Sequence, residues 1–87
     1  MTVKELKRFF KEHLVPSRLY HVGRKSRPGR ICLSMNEGGS YDVYFSEKKD
    51  KIGLMSFATE NEACQKMMDE VCKVMESLYG VTWRGLA

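Results

Sequence analysis

Two short runs of alternating residues on either side of a pair of glycines limit this chain more than any other feature. Ile31, Leu33 and Met35 alternate with Cys32, Ser34 and Asn36, and Tyr41, Val43 and Phe45 alternate with Asp42, Tyr44 and Ser46. A period of two puts each set on one face of a strand, and Gly38 and Gly39 between the runs make the pair a β-hairpin. A two-residue Gly-Gly loop would set Met35 opposite Asp42 and mix polar with apolar side chains. A three-residue loop over residues 38–40 sets Met35 opposite Val43 and Leu33 opposite Phe45, which keeps one face wholly apolar. The expected outer face then presents Cys32, Ser34, Asn36, Asp42, Tyr44 and Ser46.

An apolar sheet face needs a covering layer, and the flanking segments supply it. Thr2 and Glu5 have capping-box spacing, and Val3, Leu6, Phe10 and Leu14 follow at helical intervals, with Phe9 widening the stripe. Pro16 stops this helix near Leu14. Residues 19–22 read as a short strand. After the polar turn Glu47 to Asp50, a third main strand runs over residues 52–57, with Gly53 as a candidate bulge because Leu54 and Met55 break the alternation.

Thr59 and Glu62 open a second helix with the stripe Cys64, Met67, Met68, Val71, Cys72, Met75, Leu78 and Tyr79. Glu62 to Lys66 and Asp69 to Lys73 have i,i+4 spacing. Gly80 suits the helix end, with Val81 as the accompanying apolar contact. The order α-(β)-β-β-β-α predicts an α+β fold: an antiparallel sheet of three to four strands with helices at both ends of the chain.

At 87 residues, the chain is expected to form a single domain over residues 1–87. Its 43% hydrophobic and 30% charged residues fit a soluble globular protein. No apolar run approaches the roughly 20 residues of a membrane span. The charged N-terminal stretch lacks the apolar core of a signal peptide, so a cytoplasmic location is expected. The 3 cysteines show no CxxC spacing. Cys64 and Cys72 are separated by about 12 Å of helical rise, beyond the ~7 Å a disulfide allows. They read as small buried apolar residues.

Catalytic parts are not apparent. His13 and His21 flank a proline turn with no third group to orient them. The glycines match no phosphate-binding loop, and no metal-ligand spacing occurs. The expectation is a protein without enzymatic activity, cofactor or metal. The methionines read mainly as core filler.

Charge is the remaining clue. Residues 1–30 carry nine Lys and Arg against two acids, whereas residues 31–87 carry six against nine. Arg24, Lys25, Arg27 and Arg30 crowd one Gly- and Pro-containing segment, read as an exposed loop. Together with Asp42, Tyr44 and Glu47 of the hairpin they are the candidate partner-binding residues, Tyr for its contact area and hydroxyl and the charges for steering. Nucleic acid is not the expected partner, because stacking aromatics and a recognition helix are missing. A small basic nucleic-acid-binding regulator is the alternative.

The run Tyr41-Asp-Val-Tyr-Phe-Ser-Glu47, followed by Phe57-Ala-Thr-Glu60-Asn-Glu62-Ala-Cys64, resembles small bacterial immunity proteins encoded beside contact-dependent growth inhibition and other polymorphic toxins. The similarity extends to the first helix, the Leu19-Tyr20 segment and the Gly38-Gly39 turn. It implies a non-enzymatic protein that binds a cognate toxin domain, such as a nuclease, and blocks its active site or substrate path.

Overall fold

The structure, a computed structural model, describes residues 1–24, 27–80 and 82–83. Helix α1 (Val3–Glu12) is followed by a 3-10 turn (Ser17–Leu19) and strand β1 (Tyr20–Val22). Strands β2 (Arg30–Met35), β3 (Tyr41–Glu47) and β4 (Asp50–Phe57) come next, then helix α2 (Glu60–Tyr79). The strands form one sheet in the order β1-β2-β3-β4. The fold is the expected α+β arrangement, but the sheet is mixed. β2, β3 and β4 run antiparallel, whereas β1 lies parallel to β2.

That parallel pair has a topological cause. A parallel neighbour requires the chain to cross back over a face of the sheet, which usually takes a dozen or more residues. Here β1 is three residues long, so the return is only about 10 Å and residues 23–29 suffice. The helices fill one face, and Arg27, ahead of β2, lies against the other. The Arg27 carbonyl accepts from the Cys32 thiol at 3.8 Å, and the Gly29 amide donates to the Ser46 carbonyl at 2.7 Å.

The hairpin pairs Leu33 with Val43 and Ile31 with Phe45. The apolar face is kept as expected, but the register is two residues away from the predicted one. Its loop has three residues, 37–39 rather than 38–40, closed by the Asn36 amide donating to the Ser40 carbonyl at 2.8 Å. Asn36 decides this. Its Oδ1 accepts from the amides of Gly38 and Ser40 at 3.0 and 3.1 Å, while Gly39 takes φ +84°. That sequence of an Asx turn and a left-handed glycine makes a three-residue hairpin loop.

Gly53 is a bulge, as its position implied. The β3–β4 register shifts between Val43–Met55 and Phe45–Ile52, and Gly53 has φ +66°. The extra residue lets both Ile52 and Met55 face the helix side although they are three apart.

Both helices pack on that side. Leu6 and Phe10 of α1 and Ala63, Cys64, Met67 and Val71 of α2 close the core over Ile31, Leu33 and Val43. The Phe10 ring meets Tyr20 at 4.6 Å between centroids, and Trp83 stands edge-on to Phe9 at 5.1 Å. The first capping box is complete. In the second, Thr59 Oγ1 accepts from the Glu62 amide and donates to Glu62 Oε1 at 2.8 Å. Glu62 is thus committed to its cap, and Lys66 pairs with Glu70 at 2.8 Å instead. Gly80 ends α2 at φ +74°; Val81 lies outside the described residues. The three cysteines are buried and free. Of the methionines, Met67 is core, but Met35 and Met55 are exposed.

Candidate partner-binding surface

The expected outer face of the hairpin is not open. Cys32, Ser34, Asp42, Tyr44 and Ser46 are all buried, Tyr44 to 3% exposure. Arg27 lies over part of this face, its carbonyl at the Cys32 thiol, and Lys51 Nζ sits 4.9 Å from the Tyr44 ring centroid. Asp42 accepts from Asn36 Nδ2 at 3.2 Å and from Ser56 Oγ at 2.7 Å. It ties the hairpin loop to β4. Two of the predicted partner contacts, Asp42 and Tyr44, are therefore interior residues of the sheet's outer layer. The alternation placed them on the correct face, but gave no sign that Arg27 and Lys51 would lie over it.

The other candidates divide. Arg24, after β1, and Arg27, before β2, are exposed, Arg30 is half-buried as the first residue of β2, and Glu47 is exposed at the end of β3. Lys25 lies outside the described residues. Arg24 lines a cleft with Val3, Met35 and Glu60, which places it beside the N-terminus of α1.

That helix carries the larger cationic surface. Lys4, Lys7, Arg8 and Lys11 are exposed at i, i+3, i+4 and i+7, one stripe opposite buried Leu6 and Phe10. No ion pair among the described residues engages any of the four. Arg18, nearby in sequence, is used structurally, donating to the Tyr79 hydroxyl at 2.5 Å.

The stripe ends at Leu14, the most exposed apolar side chain of the described residues. The helix closes in a Schellman turn: the Leu14 amide donates to the Lys11 carbonyl at 3.2 Å, and the Val15 amide to Phe10 at 2.9 Å. Buried Val15 supplies the apolar contact to Phe10. Leu14 occupies the left-handed position, φ +56°, where glycine is favoured and a Cβ costs roughly 1–2 kcal/mol. Its side chain is 84% exposed and flanks a shallow cleft with Lys7, Lys11, Ser17 and Tyr20. Helical spacing had put Leu14 on the buried stripe; Pro16 shows why it is not. By forcing Val15 into extended backbone, Pro16 makes Val15 the buried residue and turns Leu14 outward.

A second exposed region lies at the far edge of the sheet. Phe45, Ile52, Leu54 and Met55 are each between 40% and 49% exposed, with Lys66 and Glu70 of α2 beside Phe45, Ile52 and Met55. The Lys66 ammonium bonded to Glu70 holds that carboxyl below its usual range, against the opposing effect of burial.

No cluster of three or more metal-ligating side chains occurs among the described residues. His13 Nδ1 meets the Phe9 carbonyl at 2.9 Å, and its ring stacks on Phe9. His21 pairs with Cys32 on β1, away from that stack. No helix of the described residues is long and apolar enough to cross a membrane. Comparison with known protein families, with curated proteins and with solved structures finds no match to this chain.

Proposed function

We propose that this protein is an immunity protein, which binds a cognate toxin domain in the cytoplasm and blocks its active site or substrate path. The observation that carries this reading is the α1 face, where four cations without ion-pair partners among the described residues run up to an exposed, left-handed Leu14. Strained backbone at an exposed apolar residue points to use by a partner, because folding alone favours glycine there. An apolar anchor inside a rim of like charge is how a protein surface combines affinity with steering. The complementary surface on the toxin is an apolar socket edged with carboxylates. Arg24 and Arg27 extend the same positive field.

The resemblance of the 41–47 and 57–64 segments to immunity proteins supports the same reading. Co-expression with the C-terminal domain of a large secreted protein encoded by the adjacent reading frame tests it. The two proteins are expected to co-purify, with toxicity lost. Replacing Leu14 by Gly is expected to weaken that complex while raising the stability of the free protein by about 1 kcal/mol, as urea unfolding reads. A Leu14 kept for folding would show the opposite signs. Replacing Lys7, Arg8 and Lys11 by Ser is expected to slow association and flatten its salt dependence, with a smaller change in dissociation. No co-purification, together with a gel shift on DNA or RNA that weakens steeply with salt, would establish the alternative of a nucleic-acid-binding regulator.

A further inference from the structure

Among the described residues, no strand closes the β4 edge. β4 pairs with β3 on one side, which leaves the peptide groups of its other side without a strand. From Ile52 to Phe57 no side chain is charged, and Phe45, Ile52, Leu54 and Met55 are exposed around it. A long, uncharged, apolar edge is a template for another strand. We propose that its occupant is β4 of a second copy of this chain, added antiparallel about a two-fold axis at Met55. The two four-stranded sheets then become one.

Three observations select a second copy. The first is the match of faces. Directly opposed residues in an antiparallel pair share a face, and with Met55 opposite Met55, Leu54 falls opposite Ser56. Ser56 pairs with Asp42 on the outer face and Met55 with Val43 on the helix face, so Leu54, one residue from Met55, shares the outer face and both pairings are matched. The second is charge. The β4 end carries both signs, in Glu47, Lys48, Lys49, Asp50 and Lys51 and in the Lys66–Glu70 pair, so a copy meets no field of one sign. The α1 stripe has four cations in a row and would repel itself. The third is extent. A two-fold contact uses every residue twice, which doubles half-exposed Leu54 and Met55. The Gly53 bulge ends the straight segment, however, and keeps the contact below the roughly 800 Å² per partner of a standard interface. The consequence is a reversible dimer rather than a permanent one.

Sedimentation of the full chain between about 1 and 500 µM tests this directly. The expected result is a monomer that becomes a dimer across that range. Leu54→Lys and Met55→Lys are each expected to weaken the dimer at least about tenfold, since each buries a charge. Leu78→Lys, at an exposed leucine on the last turn of α2, is expected to leave it unchanged. Circular dichroism establishes that the variants are folded. For a variant that is not, hydrogen exchange of the unaltered chain replaces it: protection of the 54–56 amides rises with concentration if the edge pairs. A chain still monomeric at the top of the range overturns the proposal. So does a dimer that survives both folded variants, association that continues past two copies, or exchange at 54–56 that ignores concentration. None of these outcomes depends on the toxin.

Discussion

The two edges of the sheet are built on opposite plans. At the β1 edge the strand is three residues long, Phe10 lies against Tyr20, and Arg27 ahead of β2 lies against the outer face. At the β4 edge the strand is eight residues long, and every residue but half-buried Phe57 is exposed. The difference comes from where the two helices lie. α1 and α2 cover β1, β2 and β3, and only part of α2 reaches β4. One end of the molecule is closed by packing and carries charge outside; the other is left apolar at the surface. A domain of this size has too few residues to bury both sheet edges.

Substitutions at each end can sharpen or break that contrast. The largest effect is expected at the covered end. Phe10→Ala removes a fully buried ring that contacts Tyr20 and Trp83 and should lower the unfolding free energy by about 3–5 kcal/mol in urea. A loss under 1 kcal/mol would mean that this end is no better packed than the β4 edge.

The next effect is alkaline. Burial pushes the Cys64 thiol up to about 11, with Glu60 adding to the shift. The unfolded thiol ionises first, so stability holds below about pH 9 and falls by roughly 2–3 kcal/mol as pH rises through 11. Cys64→Ala, whatever it costs at neutral pH, should flatten that slope.

At the open edge the effects are smaller. Gly53→Ala meets no atom within 4 Å, so its cost is the left-handed backbone alone, about 1 kcal/mol. The smallest belongs to Glu70, whose partly exposed pair with Lys66 contributes at most about 1 kcal/mol. Its carboxyl is held low in the folded state. Its stability is present at neutral pH and lost as pH falls below the ordinary carboxylate range. Glu70→Gln should remove that increment of acid sensitivity and little else.

What the sequence revealed follows the same division between local and long-range causes. Both N-caps, the Gly53 bulge, the left-handed Gly80 and the apolar face of the hairpin were legible, since each is set by residues a few positions apart. The hairpin register was not. Shifting it by two residues preserves the face, and only the Asn36 side chain in the turn separates the two choices. The direction of β1 was hidden because a three-residue strand carries no pattern that tells parallel from antiparallel. Burial of Asp42 and Tyr44 was hidden because it involves partners distant in sequence, Ser56 for Asp42 and Lys51 for Tyr44. Leu14 was misplaced because helical spacing was carried one turn past the point where Pro16 hands the buried position to Val15.

The crossover also has a consequence for how this protein can diverge. Its described end is held by main-chain atoms, the Arg27 carbonyl on the Cys32 thiol at the outer face and the Gly29 amide on the Ser46 carbonyl beside the β2–β3 ladder. The exposed side chains of Arg24 and Arg27 take no part in those two bonds. Charges there can be exchanged or reversed during divergence without reworking the layer beneath, so a descendant could acquire a different electrostatic signature while inheriting the same sheet.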